Sequence, residues 1–389
     1  MQHSAQATRR WPISQHATAV LLLAGMAQAL SLAWPFDGAF KGDAQGWLQC
    51  VSLAVLAFHI DRSQSGKEAF VKAWVFALAW LAGSIWWLFI SMHRYGGLAA
   101  PVAGLAVGLM AAGLALFYAA AAAVYHAICK TGVGVLPRAG AFAAVWVLAE
   151  MVRGTLWTGF PWGAVGYAHV DSLLQHWAPW MGVYGLCALS AFMAMAVAAE
   201  RKDNRPTTRA TQLVVAAIVA VLGYTWFMSP SQSVDEDAIS KKPLSVTLLQ
   251  GNIPQDLKFG EGVSLALRDY REALLSSGSD LTVTPETAIP LIQQQMPERY
   301  WSQLETHFSK GKQAALIGLP LAQRSEQGQL QYSNSAIALM PQTTPASTAS
   351  YQYDKHHLVP FGEFVPPLFQ WFVRMMNIPL GDFTRGDVA

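Results

Sequence analysis

Charge is scarce in this sequence. Only 13% of its 389 residues are Asp, Glu, Lys or Arg, against roughly 25% in an ordinary soluble domain. With 53% hydrophobic side chains besides, the chain is not a water-soluble globule throughout. Net charge is small as well. The formal balance is +2, and no basic stripe with interleaved aromatics occurs, which argues against nucleic acid as a partner. Cysteine is the third shortage: the 3 present are Cys50, Cys129 and Cys187. None lies in the polar C-terminal part, which excludes a disulfide framework there.

What is abundant is unevenly placed. Residues 17–228 are dense in Ala, Leu, Val, Gly and Trp, whereas residues 230–389 have the mixed composition of a folded aqueous domain. The division predicts a transmembrane domain over 1–229 and a second domain over 230–389. A hydrocarbon core about 30 Å thick needs roughly 20 apolar residues per helix. About seven stretches come near that: 17–34, 45–60, 73–91, 102–127, 139–153, 173–199 and 211–228, of which 45–60 and 139–153 are short. The first, preceded by Arg9 and Arg10 and holding Ala27-Gln28-Ala29, imitates a cleavable signal and is taken as an uncleaved anchor.

Lys and Arg fall in alternate loops. Arg9 and Arg10 precede the first span, Arg62, Lys67 and Lys72 lie in the second loop, Lys130 and Arg138 in the fourth, and Arg201, Lys202, Arg205 and Arg209 in the sixth. The other loops hold little more than Lys41 and Arg94. This bias predicts a cytoplasmic N-terminus and places everything after Met228 outside the cytoplasm. Two features inside the apolar half have both a plain and a functional reading. Glu150 and Arg153, spaced i,i+3, form either a buried ion pair at a helix end or part of a substrate site. The aromatic run from Trp157 through Phe160, Trp162, Tyr167, Trp177 and Trp180 is either a headgroup-level belt or a membrane-facing floor beneath an active site.

Beyond a polar linker at 229–242, the pattern is strand, helix, strand, helix, then a strand-rich run. Strands are expected at 244–250, 281–284, 314–318, 334–340 and 350–354, and helices at 261–276 and 297–309. That order implies an α/β domain with helices on a sheet. Glu286 follows one strand directly, and Lys355 follows another and opens the run Lys355-His356-His357-Leu358-Val359-Pro360-Phe361-Gly362-Glu363-Phe364-Val365-Pro366. A carboxylate and an ammonium in one pocket suit acyl transfer, one taking a proton and the other stabilising an oxyanion. On spacing alone, a salt bridge without a catalytic role is the plainer reading.

Three segments carry a resemblance: Gly251-Asn252-Ile253-Pro254-Gln255, Thr284-Pro285-Glu286-Thr287-Ala288-Ile289-Pro290 and the Lys355–Pro366 run. In that order, behind a multi-span membrane half with Gly159-Phe160-Pro161-Trp162 and Gly166-Tyr167, they resemble the apolipoprotein N-acyltransferase family from about residue 75 to the end. The lysine run is the most specific part. The resemblance implies a multi-span α-helical membrane domain plus an α/β nitrilase-like αββα sandwich, in a bacterial inner-membrane protein with its catalytic domain in the periplasm. It implies a Glu, Lys, Cys triad, with Glu286 as general base, Lys355 stabilising the tetrahedral intermediate and Glu363 supporting the site. By the same resemblance, a phospholipid donates an acyl chain to a cysteine thiolate, and the amine of a diacylglyceryl-cysteine apolipoprotein accepts it. No metal or other cofactor is needed.

Departures from the family pattern are informative. Phe259 stands where a tryptophan is common near the acyl site, which keeps an aromatic wall and removes an indole N–H. Thr284 replaces a tryptophan and is expected to be neutral packing. The family's cysteine lies downstream of the lysine run, so the nucleophile is expected beyond Ala389, in a longer protein of which this sequence is a fragment. Two other functions remain open at this point: a membrane-tethered nitrilase-type amidase, and a non-catalytic lipid- or lipoprotein-binding protein.

Overall fold

The fold is described from a computed structural model, which covers residues 13–129, 133–156, 159–203, 223, 243–254, 257, 260–325, 327–341, 351–360, 362–365 and 383–387. The chain divides into two compact units, residues 1–93 with 99–232 and residues 94–98 with 233–389. The expected span at 211–228 and Phe259 lie outside the described residues.

The first unit is helical: α1 (Gln15–Leu30), α2 (Gly46–Asp61), α3 (Gly66–Ile85), the short α4 (Trp87–Ile90), α5 (Ala100–Ile128), α6 (Val135–Thr155) and α7 (Ala178–Asp203). Among the described residues, four helical stretches are long and apolar enough to cross a membrane: Gly66–Ile85, Ala100–Ile128, Val135–Thr155 and Leu173–Ala199. Helix α2 is apolar but has only 16 residues, and α1 has the same length.

Helix α5 shows what makes these stretches compatible with membrane spans. One side presents Ala103, Val107, Ala111, Ala115, Ala119 and Ala122, all buried. Small residues four apart let backbones approach closely, and α3 packs there. The opposite side exposes Leu105, Leu109, Leu116, Val124 and Ile128. A helix apolar all round has hydrocarbon, not water, as its outer solvent.

Buried charges in this unit are paired. Arg138 Nη1 lies 3.0 Å from Asp61 Oδ2, which puts the α2–α3 turn and the start of α6 on one side of the unit. Arg153 Nη2 lies 3.0 Å from Glu150 Oε1, with both side chains fully buried. Sequence alone left that pair open between an ion pair and a substrate site, and its contacts give it a structural task. Arg153 Nη1 donates to the carbonyls of Phe160 and Trp162 at 2.5 and 2.8 Å. Glu150 Oε1 accepts from Val165 N at 3.2 Å, and Glu150 Oε2 from the Cys187 thiol at 2.8 Å. The pair thus fixes the turn of chain after α6. Helix α7 breaks at Gly182, whose φ of 62° lies in the left-handed region that favours glycine.

Among the described residues, the second unit forms a five-stranded mixed sheet in the order β1-β2-β3-β4-β5: β1 (Val246–Leu248), β2 (Leu281–Val283), β3 (Ala314–Arg324), β4 (Leu330–Leu339) and β5 (Gln352–Asp354). Strands β1, β2 and β3 are parallel, joined through helices α8 (Gly262–Ser276) and α9 (Tyr300–Lys310), while β4 and β5 are added antiparallel. Ala315, Ile317, Leu319 and Leu321 of β3, with Ile337 and Leu339 of β4, form one core with Leu267 and Leu274 of α8 and Leu304 and Phe308 of α9. Strands β3 and β4 run longer than hydrophobic pattern predicts. Pro320 and the polar Gln323 and Arg324 interrupt the pattern, yet the ladder continues from Ala315↔Leu339 to Arg324↔Leu330.

Candidate active site

Two reversals of direction bring β5 back parallel to β1 and β2. The chain therefore leaves β1, β2 and β5 at the same edge of the sheet, and the three motif segments are what leave it. In α/β sheets this carboxyl edge is where side chains from separate strands converge.

After β1, Gly251 N donates to the Tyr270 hydroxyl of α8 at 3.1 Å, and Asn252 takes a left-handed φ of 47°. After β2, Thr284 N bonds Leu316 O at 3.0 Å, so the chain stays on the ladder one residue longer before Pro285. Thr284 does more than fill space, contrary to expectation. Its Oγ1 accepts from Gly318 N at 3.0 Å. A Cβ at Gly318 would run into Pro285 O and crowd the backbone of Glu286 and Thr287. Glycine there is what lets the Glu286 segment lie against β3.

After β5, Lys355 N donates to Asn334 O at 2.8 Å, which holds the residue in register with β4. The Lys355 side chain then bridges two carboxylates. Its Nζ is 2.8 Å from Glu286 Oε1 and 3.0 Å from Glu363 Oε1. Glu363 is fixed by its own turn: its N donates to Val359 O at 2.9 Å, and its Oε2 accepts from Val359 N at 2.7 Å. The structure thus brings together three of the residues singled out from sequence, Glu286, Lys355 and Glu363. Exposure grades across them, the side chains being 60% exposed for Glu286, 25% for Lys355 and 9% for Glu363.

Burial alone pulls the Lys355 pKa down, but hydrogen bonds to Glu286 and Glu363 and the charge of both carboxylates outweigh it. The ammonium is held above its ordinary range. Sequence gave no sign of a fourth member. Asn334 Nδ2 donates to Glu286 Oε1 and also to Glu363 Oε1, the latter at 2.6 Å. The arrangement offers an exposed carboxylate to take a proton and a fixed ammonium within reach of the same point.

The family model described as "Apolipoprotein N-acyltransferase N-terminal domain" matches residues 12–196. An apolipoprotein N-acyltransferase of Verminephrobacter eiseniae is 46% identical over 95% of this chain and 68% of its own length. One from Ralstonia nicotianae is 40% identical over 90% and 64%, and one from Nitrosomonas europaea 35% identical over 87% and 65%. The chain spans about two thirds of the length of these curated relatives. On the strength of these matches, the chain belongs to the apolipoprotein N-acyltransferase family.

Proposed function

We propose that this chain carries the membrane half and most of the acid–base machinery of an enzyme that N-acylates lipoproteins. A phospholipid gives its acyl chain to a cysteine thiolate, and the thioester passes it to the α-amine of a diacylglyceryl-cysteine. The observation that supports this best is the Lys355 bridge between Glu286 and Glu363 at the carboxyl edge of the sheet. Glu286, the most exposed of the three, takes the proton from the attacking thiol and gives it to the lysophospholipid oxygen as that leaves; it then takes a proton from the attacking amine and returns it to the departing thiolate. Lys355 sits beside it and balances the negative charge that develops on the carbonyl oxygen. Glu363, buried and tied to Val359, holds Lys355 in place.

On family resemblance, the thiol is assigned to a residue downstream of the lysine run and outside these 389. Around the site we place a nitrilase-like αββα sandwich. The four apolar helices, with the spans expected from sequence at 17–34, 45–60 and 211–228, support a location in the bacterial inner membrane. The alternation of Lys and Arg supports a periplasmic side for the second unit. Phe259 is assigned to the acyl-binding wall on family resemblance.

The test is transfer from a labelled phospholipid to a diacylglyceryl-cysteinyl peptide by the full-length protein and its Glu286→Gln and Lys355→Ala variants. Each substitution is expected to lower the rate at least on the order of a hundredfold. Wild-type transfer by both variants would refute the assignment. Hydrolysis of small amides in place of transfer would favour an amidase instead.

A further inference from the structure

Strand β4 sorts its side chains by parity, because alternate residues of a strand face opposite sides of the sheet. Ser333 and Ser335 share the helix-covered side with Ile337 and Leu339. Both donate to Asp354 Oδ1, Ser333 at 3.1 Å. Asn334 faces the other way, toward Glu286 and Glu363, and Lys355 is its neighbour across the ladder. We propose that Asn334 is a positioning residue for this cluster, its two amide N–H groups tying both carboxylates into one arrangement around a single ammonium. The inference rests on the acyl-transfer reading and deepens it.

The chemistry of the amide explains the choice of residue. Two carboxylates around one ammonium repel each other, and hydrogen-bond donors shared between them offset that repulsion. An Asn side chain has two N–H donors on one nitrogen and no charge, so it stabilises both ionised carboxylates without adding a third charge. Asn334 is also well placed to restrain the exposed Glu286. It is 6% exposed, and its backbone is held between Pro320 on β3 and Lys355. Among the described residues, the titratable groups facing it are Glu286 from the end of β2 and Lys355 and Glu363 from the segment after β5. On its β3 side stands Pro320, and Asp354 belongs to the opposite face. Asn334 acts through Glu286 and Glu363, not on the substrate.

The experiment uses the full-length protein and follows acyl-adduct formation from a fluorescent phospholipid across pH, for the wild type and for N334A, N334D and E286Q. In N334A the rate at neutral pH is expected to fall on the order of tenfold, about the size of one lost hydrogen bond to a charged group. The KM for the phospholipid should hardly change. The acid limb of the rate profile is expected to move to higher pH in N334A and further in N334D, which sets a third carboxylate beside the other two. Part of the lost rate then returns on raising the pH. A residue that served only the fold would lower stability and leave the limb where it was. If N334A does not fold, the nearly isosteric N334D carries the test.

An unmoved acid limb in the Asn334 variants, whatever their rates, overturns the proposal. E286Q separates the two levels of inference. If it forms the adduct at the wild-type rate, the acyl-transfer reading itself fails. If it is inactive while the Asn334 variants match the wild type, only the role of Asn334 fails.

Discussion

At the scale of single residues, the site depends on close approach and on charge. Gly318 has no room for a Cβ because Pro285 O and the Glu286 backbone occupy that space. Gly318→Ala is expected to cost about 1–3 kcal/mol, the usual price of overpacking, and to shift Glu286 as well. A lower melting temperature together with reduced activity would bear this out, and an unchanged variant would contradict it. Lys355 yields a prediction about pH. Its pKa is raised in the folded state by its two carboxylates, against the pull of burial. The stability it contributes is therefore complete below the unfolded lysine value, about 10.4, and is lost as pH rises through the higher folded value. The melting-temperature gap between wild type and Lys355→Met should stay constant from about pH 7 to about pH 9 and narrow only above about pH 10. Narrowing below about pH 9 would mean that the lysine is not held charged.

At the scale of elements, legibility tracked how local the signal is. Glu286 and Lys355 were readable because each follows a short strand within a recognisable run of sequence. Asn334 was not readable: in sequence it is one polar residue in an alternating strand, and its partners lie 48 and 29 positions away. Only the sheet brings them together. Helix α6 begins at Val135, earlier than hydropathy predicts, because Arg138 reads as a polar boundary until Asp61 is seen to neutralise it. The pair Glu150–Arg153 was visible as a spacing, but its grip on the Phe160 and Trp162 carbonyls was not. Arg153→Ala leaves a buried carboxylate unpaired and is expected to destabilise the helical unit by about 3–5 kcal/mol. The double variant Glu150→Gln/Arg153→Met should be milder. Thermal unfolding in detergent decides, and equal losses in both would argue against the charge explanation. Helix α5 offers a paired control. Ala111→Leu on its packed side should cost about 1–3 kcal/mol, whereas Leu109→Ala on its exposed side should cost little.

At the scale of the whole molecule, composition separates an apolar from a polar half, and the chain forms two compact units, residues 1–93 with 99–232 and residues 94–98 with 233–389. The case for a membrane location rests on helices such as α5, apolar both where they pack and where they do not. The proposed chemistry belongs to the polar half, where one lysine bridges two carboxylates from separate segments of the sheet edge. The central claim is that this cluster drives acylation of a thiol. It is tested most directly by the intact mass of the full-length protein after incubation with phospholipid and no acceptor. The account predicts one added acyl chain, labile to hydroxylamine, on the wild type and none on Glu286→Gln or Lys355→Ala. The same adduct, formed as fast on both variants as on the wild type, would contradict it.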